Sequence, residues 1–311
     1  MPSLNFTLEQ PTYWKARCES HGDFFHSSAW LGLLQQAFGA ITLYGSDETR
    51  QIGCTLSIFK AGPFRIGYYG FPIGGQLGSQ ALTADDILSL RQTRLPLRVE
   101  ILRLAASAFD ASAPLDFSYR TNPETAILNL DAWRADDHPK LRHDINRVRR
   151  TGIKIESATD GSLLYSLYAE TVRRHGGSLR YNAAYFRALV DLARNCPALH
   201  CQVALSGTET IGFLIAVHHG KTAYYLHGAT APQHRKLAPS DLLIHEAIVW
   251  AQQRGVTSFN LMTSPAGQAS LVRYKEKWGG TTREHRAYEL TLKPWSGAAF
   301  RLVERVYGLV R

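Results

Sequence analysis

From residue 200 onward the chain switches repeatedly between two periods of apolar patterning, and no all-helical or all-strand fold accommodates both. Residues 200–205, 210–218 and 221–229 are apolar runs separated by Ser206-Gly207-Thr208-Glu209 and His219-Gly220, which reads as hairpin-connected strands. Pro239-Ser240-Asp241 then opens a long helix over 242–254, stopped by Gly255, and residues 256–262 return to a strand. A short helix and a strand over 283–292 close the set. Upstream lie a helix over 139–150, a strand over 153–157, a helix over 161–175 and another capped by Asn182. Strands interleaved with helices in this order require an α/β fold, a mixed and mostly antiparallel sheet with helices packed on it.

The first half is a looser version of the same order. A helix within 24–39 is capped by Ser27 or Ser28, buries Trp30, Leu33, Leu34, Ala37 and Phe38, and stops at Gly39. Strand-like runs over 40–44, 51–59 and 64–69 form a meander broken by Gly45-Ser46-Asp47 and Gly62-Pro63. The glycine-rich residues 70–78 fit either a structural turn or a phosphate cradle, and match neither a Walker loop nor a dinucleotide fingerprint. A helix over 83–94 and strands over 99–104 and 126–130 follow. At 311 residues the length favours two domains. The polar stretch 131–139 places their boundary, giving units 1–134 and 135–311.

The excess of Lys+Arg (35) over Asp+Glu (26), a formal charge of +9, fits either an anionic partner (nucleotide, RNA, phosphorylated precursor or membrane surface) or a basic surface that binds no nucleic acid. Four cysteines without Cys-x-x-Cys spacing form no disulfide framework and point to a reducing, cytoplasmic setting. The opening residues have no basic and apolar runs of a signal peptide, and no window is apolar enough to span a bilayer. Residues 298–311 read as an amphipathic helix, able to pack on its own domain or to lie on a membrane. No His-Glu-x-x-His and no Gly-x-Ser-x-Gly occurs, which argues against a metalloprotease-type zinc site and a serine hydrolase elbow.

The strongest local anomaly lies in residues 259–280. If a helix starts near Gln268, then Leu271, Tyr274, Lys275 and Trp278 share one face, with Arg273 and Lys277 pointing outward. A lysine inside an apolar arc either snorkels to water or meets an anion. Asn260 and Ser264, where the preceding strand ends, stand where ligands of α/β sheets gather, although turn structure accounts for them equally well. The helix over 139–150 carries Lys140, Arg142, Arg147, Arg149 and Arg150 against Asp144, either a solvated face or an anion-binding one.

Across most of its length the chain resembles the FemABX aminoacyl transferases, built from tandem GNAT folds. The resemblance rests on His21-Gly-Asp-Phe-Phe-His-Ser-Ser-Ala-Trp30, Tyr68-Tyr-Gly-Phe-Pro-Ile-Gly-Gly75, the basic helix around Arg142–Gly152, Thr171-Val-Arg-Arg-His-Gly176, Tyr185–Leu189, Tyr224-Tyr-Leu-His-Gly-Ala229 and Tyr274-Lys275 with Trp278-Gly-Gly280. It implies two tandem GNAT-like domains and transfer of an activated acyl or aminoacyl group to an amine of an envelope or polysaccharide precursor. Lys275 is implied to stabilise negative charge at the reacting ester or at the donor phosphates. Tyr225, for hydrogen bonding or proton relay unless it is simply core, and His227, placed on the same strand face as Tyr225 and either a base or a structural hydrogen-bonder, complete the catalytic candidates. Arg142, Arg149, Arg174, Tyr224, Asn260, Ser264 and Tyr274 are the substrate-binding candidates. No metal and no tightly bound cofactor are implied; the co-substrate is aminoacyl-tRNA or acyl-CoA. The partner is an anionic phosphorylated or lipid-linked precursor, with tRNA and peripheral membrane contact. One departure concerns the donor. Residues 233–241 lack the glycines of a pyrophosphate loop, and Asp241 opposes an anion at the helix start. That favours aminoacyl-tRNA over acyl-CoA. The alternatives are an acyl-CoA-dependent N-acetyltransferase and a non-catalytic GNAT pair that binds RNA or an anionic precursor.

Overall fold

A computed structural model of the chain describes residues 4–47, 52–73, 75–77, 89–90, 92–106 and 119–309. Most of the helix expected over 83–94, and Gly74 and Gly78 of the glycine-rich stretch, lie outside them. Two compact units emerge: Met1–Asn122 with Glu284–Arg311, and Pro123–Arg283.

In the first unit the chain runs through β1 (Asn5–Thr7), α1 (Trp14–His21), a 3-10 turn (Phe24–His26), α2 (Ser28–Phe38), β2 (Ile41–Asp47), β3 (Ile52–Ala61), β4 (Phe64–Tyr69) and β5 (Ile101–Ala106). Ser27 caps α2 by accepting from Trp30 N, and Gly39 ends it in the left-handed conformation. The apolar face of α2 buries Trp30, Leu31, Leu33, Leu34 and Ala37, and β2, β3 and β4 form the expected meander. β4 then pairs β5 in parallel, from Ile66↔Ile101 to Tyr69↔Leu104.

The second unit contains most of β6 (Tyr119–Ile127), then α3 (Pro139–Arg149), β7 (Lys154–Ser157), α4 (Gly161–Arg174), α5 (Ala183–Ala193), β8 (Leu199–Ser206), β9 (Glu209–His219), β10 (Thr222–Thr230), a 3-10 turn (Pro232–Leu237), α6 (Pro239–Gln252), β11 (Ser258–Thr263) and α7 (Ala269–Glu276). β7, β8, β9 and β10 are successive antiparallel neighbours, β10 pairs β11 in parallel, and β11 pairs β6 antiparallel. The core joins Leu141, Ile145 and Val148 of α3 to Leu243, Ala247 and Ile248 of α6 over Leu214, Ala216 and Ala223 of the sheet. Each large side chain buried here contributes about 1.5–3 kcal/mol.

β12 (Thr281–Thr291) and α8 (Pro294–Leu309) return to the first unit, where β12 pairs β5 antiparallel from Arg286↔Ala106 to Thr291↔Ile101. Both units thus share one scheme: antiparallel strands, a parallel pair, then an antiparallel closing strand. The closing strands are exchanged along the chain. β6, which follows β5, closes the sheet of the second unit, while β12, which follows α7, closes that of the first. The expected division at 134/135 therefore differs from the compact units, which part at 122/123 and 283/284. A boundary read from linker polarity assumes that each sheet is finished by consecutive chain. The α/β character, with a mostly antiparallel mixed sheet and flanking helices, is as expected.

Candidate functional site

The second unit opens where its parallel strands part. β10 and β11 pair from Thr222↔Ser258 to Tyr224↔Asn260 and no further, although β10 continues to Thr230. Both strands are irregular just beyond that register. β10 slips between Tyr225 and His227, and β11 between Asn260 and Thr263. Met262 takes φ +64°, a conformation that non-glycine residues adopt rarely. Asn260 helps hold it there: its Oδ1 accepts from Met262 N at 2.7 Å and its Nδ2 donates to Glu124 Oε1 at 3.0 Å. A parallel pair that continued would consume these carbonyls in the ladder.

Lys275 of α7 reaches this irregularity. Its Nζ donates to Met262 O at 2.8 Å and to Thr263 O at 3.0 Å, and the residue is only 8 % exposed. Burial lowers its pKa to about 8, against the opposing pull of the Glu124 carboxylate. The lysine therefore does not snorkel. An ammonium has three donors, and two are fixed on carbonyls. The third has no acceptor among the described residues and can meet an incoming oxygen. Ser264 lies beside the same turn, its N donating to Pro123 O at 2.8 Å and its Oγ buried without a hydrogen-bond partner among the described residues.

A cavity of about 220 Å³ lies along the free part of β10, lined by Tyr225, Gly228 and Thr230, by Arg174 at the end of α4, and by Arg235 and Ser240 around the start of α6. Tyr225 stays protonated, burial pushing its pKa up to about 12. Its ring lies over Gly228, where an added Cβ would collide with the Tyr225 hydroxyl. α6 begins without a side-chain cap, at Ala238 in the left-handed conformation (φ +52°) and Pro239. The first-turn N–H groups of this helix, with Arg174 and Arg235, make the neighbourhood electropositive.

Asp241 does not spoil that field as the sequence suggested. Its Oδ1 accepts from Lys277 Nζ at 2.8 Å and from the Tyr274 hydroxyl at 2.8 Å. Lys277, expected to point outward, instead crosslinks α3, α6 and α7, lying 3.4 Å from Asp144 and 4.7 Å from the centroid of the Tyr274 ring. The helix pattern could not show this, because the acid that recruits Lys277 comes from a distant helix start.

Residues 139–276 fit the family model described as Acetyltransferase (GNAT) domain. The chain has the FemABX-like GNAT fold. It is similar over 91 % of its length to the structure of FemX, covering 96 % of that chain with a TM-score of 0.60 at 12 % identity. The structure of L-PGS from Bacillus licheniformis superposes over 97 % of both chains with a TM-score of 0.56 at 16 % identity. The C-terminal domain of a putative lysylphosphatidylglycerol synthetase from Agrobacterium fabrum gives 0.56 at 14 % identity, over 94 % of this chain and 95 % of that one. No curated protein matches the sequence.

Within the GNAT domain the expected residues separate into groups. Tyr225 and Arg174 line the cavity; Lys275, Asn260 and Ser264 gather at the irregular end of β11; Tyr274 binds Asp241 and Ser240 at the start of α6. His227 is not on the face of Tyr225. The slip at Leu226 turns it onto α4 and α5, where its Nε2 lies 3.0 Å from the Tyr185 hydroxyl among the rings of Tyr168, Tyr181 and Phe186. Burial lowers its pKa to about 3, so it is neutral and too weak a base to accept a proton from an ammonium near neutral pH. Tyr224 is buried, its backbone between Val217 and Asn260. Arg142 and Arg149 are exposed, 3.8 Å from Asp136 and Glu246 respectively, and line no part of the cavity. Glu124, Gly228 and Arg235 are not among the site residues expected from the sequence, and Lys277 was expected to face outward. Arg235, in a basic turn just before Pro239, was legible; Glu124 and Gly228 carry no local signal.

Proposed function

We propose that this GNAT domain is an N-acyltransferase that joins an activated acyl or aminoacyl group to an amine of a phosphorylated or lipid-linked envelope or polysaccharide precursor. The observation that carries the reading is Lys275: an ammonium buried at the parting of two parallel strands, with two donors fixed and one free. A neutral amine attacks the acyl carbon, a C–N bond forms, and charge moves onto the carbonyl oxygen. The free Lys275 N–H is in place before that charge develops, the condition under which electrostatic stabilisation is strongest. As the C–S or C–O bond to the donor breaks, Tyr225, which remains protonated, is suited to giving its proton to the departing thiolate or ribose oxygen, and the tyrosinate left behind takes the proton that the amine nitrogen loses on becoming an amide, so that Tyr225 ends as it began. Arg174, Arg235 and the start of α6 hold phosphate of the donor.

The name of the Agrobacterium fabrum neighbour, a putative lysylphosphatidylglycerol synthetase, speaks of a lysyl group on a phospholipid, which supports an aminoacyl group as the one transferred and a lipid-linked acceptor. An acyl-CoA donor is the second reading, and one observation favours it: with Asp241 neutralised by Lys277, the helix start no longer repels a pyrophosphate. In either case the donor is a co-substrate and no tightly bound cofactor is required. The first unit is read as the second GNAT-like domain of a tandem, on the strength of its identical strand scheme. Among the described residues no helix is long and apolar enough to cross a membrane, so membrane contact would be peripheral.

The deciding experiment offers labelled aminoacyl-tRNA and labelled acyl-CoA to the wild type and to Lys275→Met, with a thermal melt of each. Transfer from one donor, lost in a folded Lys275→Met, supports the reading and names the donor. Binding of both donors with turnover of neither would favour a non-catalytic pair that binds RNA or precursor. Full activity in Lys275→Met would remove the role given to the lysine.

A further inference from the structure

A second concentration of unbalanced positive charge lies in the first unit, at the turn between β3 and β4. Lys60 on β3 and Arg65 on β4 are directly opposed in the antiparallel register. Like charges in that position repel and destabilise the pair. The Nε of Arg65 is buried with no hydrogen-bond partner among the described residues, a donor withdrawn from water with nothing to receive it. Arg98 joins the same cavity, which has a volume of about 460 Å³ and is floored by Gly62, Pro63 and Phe64. The nearby acid does not settle the account of charge. Both oxygens of Glu100 are engaged, one by Arg98 Nε at 2.6 Å and the other by Arg65 backbone N at 2.7 Å, so one carboxylate stands against three cations, and among the described residues the Lys60 and Arg65 side chains form no ion pair.

We propose that this cavity is a phosphate-binding site of the first unit, taking the phosphate or diphosphate of a phosphorylated ligand. An oxoanion between Lys60 and Arg65 would turn a repulsive cross-strand pair into two charge-assisted contacts and give the buried Nε its acceptor. A third cation at Arg98 suits a second phosphate. The proposal needs no bond making or breaking and does not depend on the transfer chemistry of the second unit. The phosphate has two sources. A soluble phosphorylated molecule enters the cavity directly. A phospholipid headgroup reaches it when the protein lies on a membrane. The second has support from α8, whose Phe300 packs on Phe64 with ring centroids 5.5 Å apart while Trp295 is 92 % and Leu302 64 % exposed.

Inorganic pyrophosphate titrated calorimetrically into the full chain at low salt is the direct test, with Lys60→Gln/Arg65→Gln as the variant and Lys60→Gln alone as the milder one. The site predicts saturable binding, weakened at least about tenfold in the double variant and severalfold in Lys60→Gln. It also predicts that pyrophosphate raises the melting temperature of the wild type more than that of either variant. Without ligand, Lys60→Gln should melt no lower than the wild type, because it removes a repulsion; this keeps the test open if the double variant folds poorly. Equal pyrophosphate binding by wild type and Lys60→Gln, or no binding by the wild type, overturns the proposal. Vesicles of phosphatidylglycerol and of phosphatidylcholine separate the sources. Sedimentation with phosphatidylglycerol that falls in Lys60→Gln supports the site with a lipid phosphate; sedimentation unchanged while pyrophosphate binding falls supports it with a soluble one.

Discussion

The two units share a strand scheme and differ at its parallel pair. In the first, β4 and β5 stay in register to the end of β4, Tyr69↔Leu104, and the space beside them is filled by Tyr69, Leu102, Leu104, Tyr288 and Leu290. In the second, β10 leaves β11 after Tyr224 and continues on β9, with Tyr225 and Gly228 against a cavity and Lys275 capping the freed carbonyls of β11. A parallel pair is therefore closed by leucines and tyrosines or opened by two bulges and a lysine. The chemistry-bearing groups follow the opening. The same sheet serves as packing in one unit and as a site in the other.

The largest effect that would break this contrast is on turnover. Lys275→Met is expected to lower the rate of transfer by about a hundredfold or more, the order found when one oxyanion donor is removed. Its counterpart in the closed pair, Leu104→Ala, should cost about 2–5 kcal/mol in denaturant unfolding while leaving turnover per folded molecule unchanged. Turnover lost in Leu104→Ala without loss of stability would erase the distinction. Gly228→Ala is expected next, with kcat/KM reduced about tenfold or more, because the new Cβ must push the Tyr225 ring out of place. Arg174→Gln with Arg235→Gln should raise the KM for the phosphorylated donor about tenfold with kcat retained. Arg142→Gln with Arg149→Gln, on α3, should leave KM within about twofold. Equal effects from the two pairs would move the anion site to α3.

The smallest effects are in the pH dependence of stability. The pKa of Lys275 is about 8 folded and near 10.5 unfolded. Below pH 8 both states hold the proton and the penalty of burying the ammonium is fully present. Between about pH 8 and 10.5 the unfolded chain holds more protons, so this lysine makes stability rise with pH, by at most ~1.4 kcal/mol per unit. Lys275→Met should lack that rise in urea unfolding. His227 acts at the other end. It is about 3 folded against 6.5 unfolded, so its contribution falls as pH drops from 6.5 toward 3, and His227→Phe should be less sensitive to acid. Transfer activity near neutral pH should survive His227→Phe within a few-fold; its abolition would restore a catalytic role for the ring.

What the sequence could disclose was what neighbouring residues determine. Ser27 and Asn182 as caps, Gly39 as a stop, the β2–β4 meander and the anomalous lysine all depend on spacing within a turn or two. The tie from Lys277 to Asp241 joins residues far apart in sequence and could not be read. The slip at Leu226 was equally hidden, since one extra residue in a strand leaves the apolar alternation intact to the eye and yet reverses the face of His227. Glu124 became visible only when β6 was found opposite β11, Thr263 against Glu124.

The exchanged closing strands bear on how such a chain is made. Synthesis runs from the N-terminus, and domains ordinarily fold as they emerge. Here the first unit lacks its last strand until residues 281–291 exist, by which time nearly the whole second unit has left the ribosome. Until then β5 presents an unpaired edge, the kind of surface that recruits a strand from another molecule. The second unit has the opposite schedule, with β6 waiting for β11 to arrive. A chain truncated after residue 283 should therefore hold a protease-resistant second unit beside a first unit that is still open, the reverse of the order in which the two are translated.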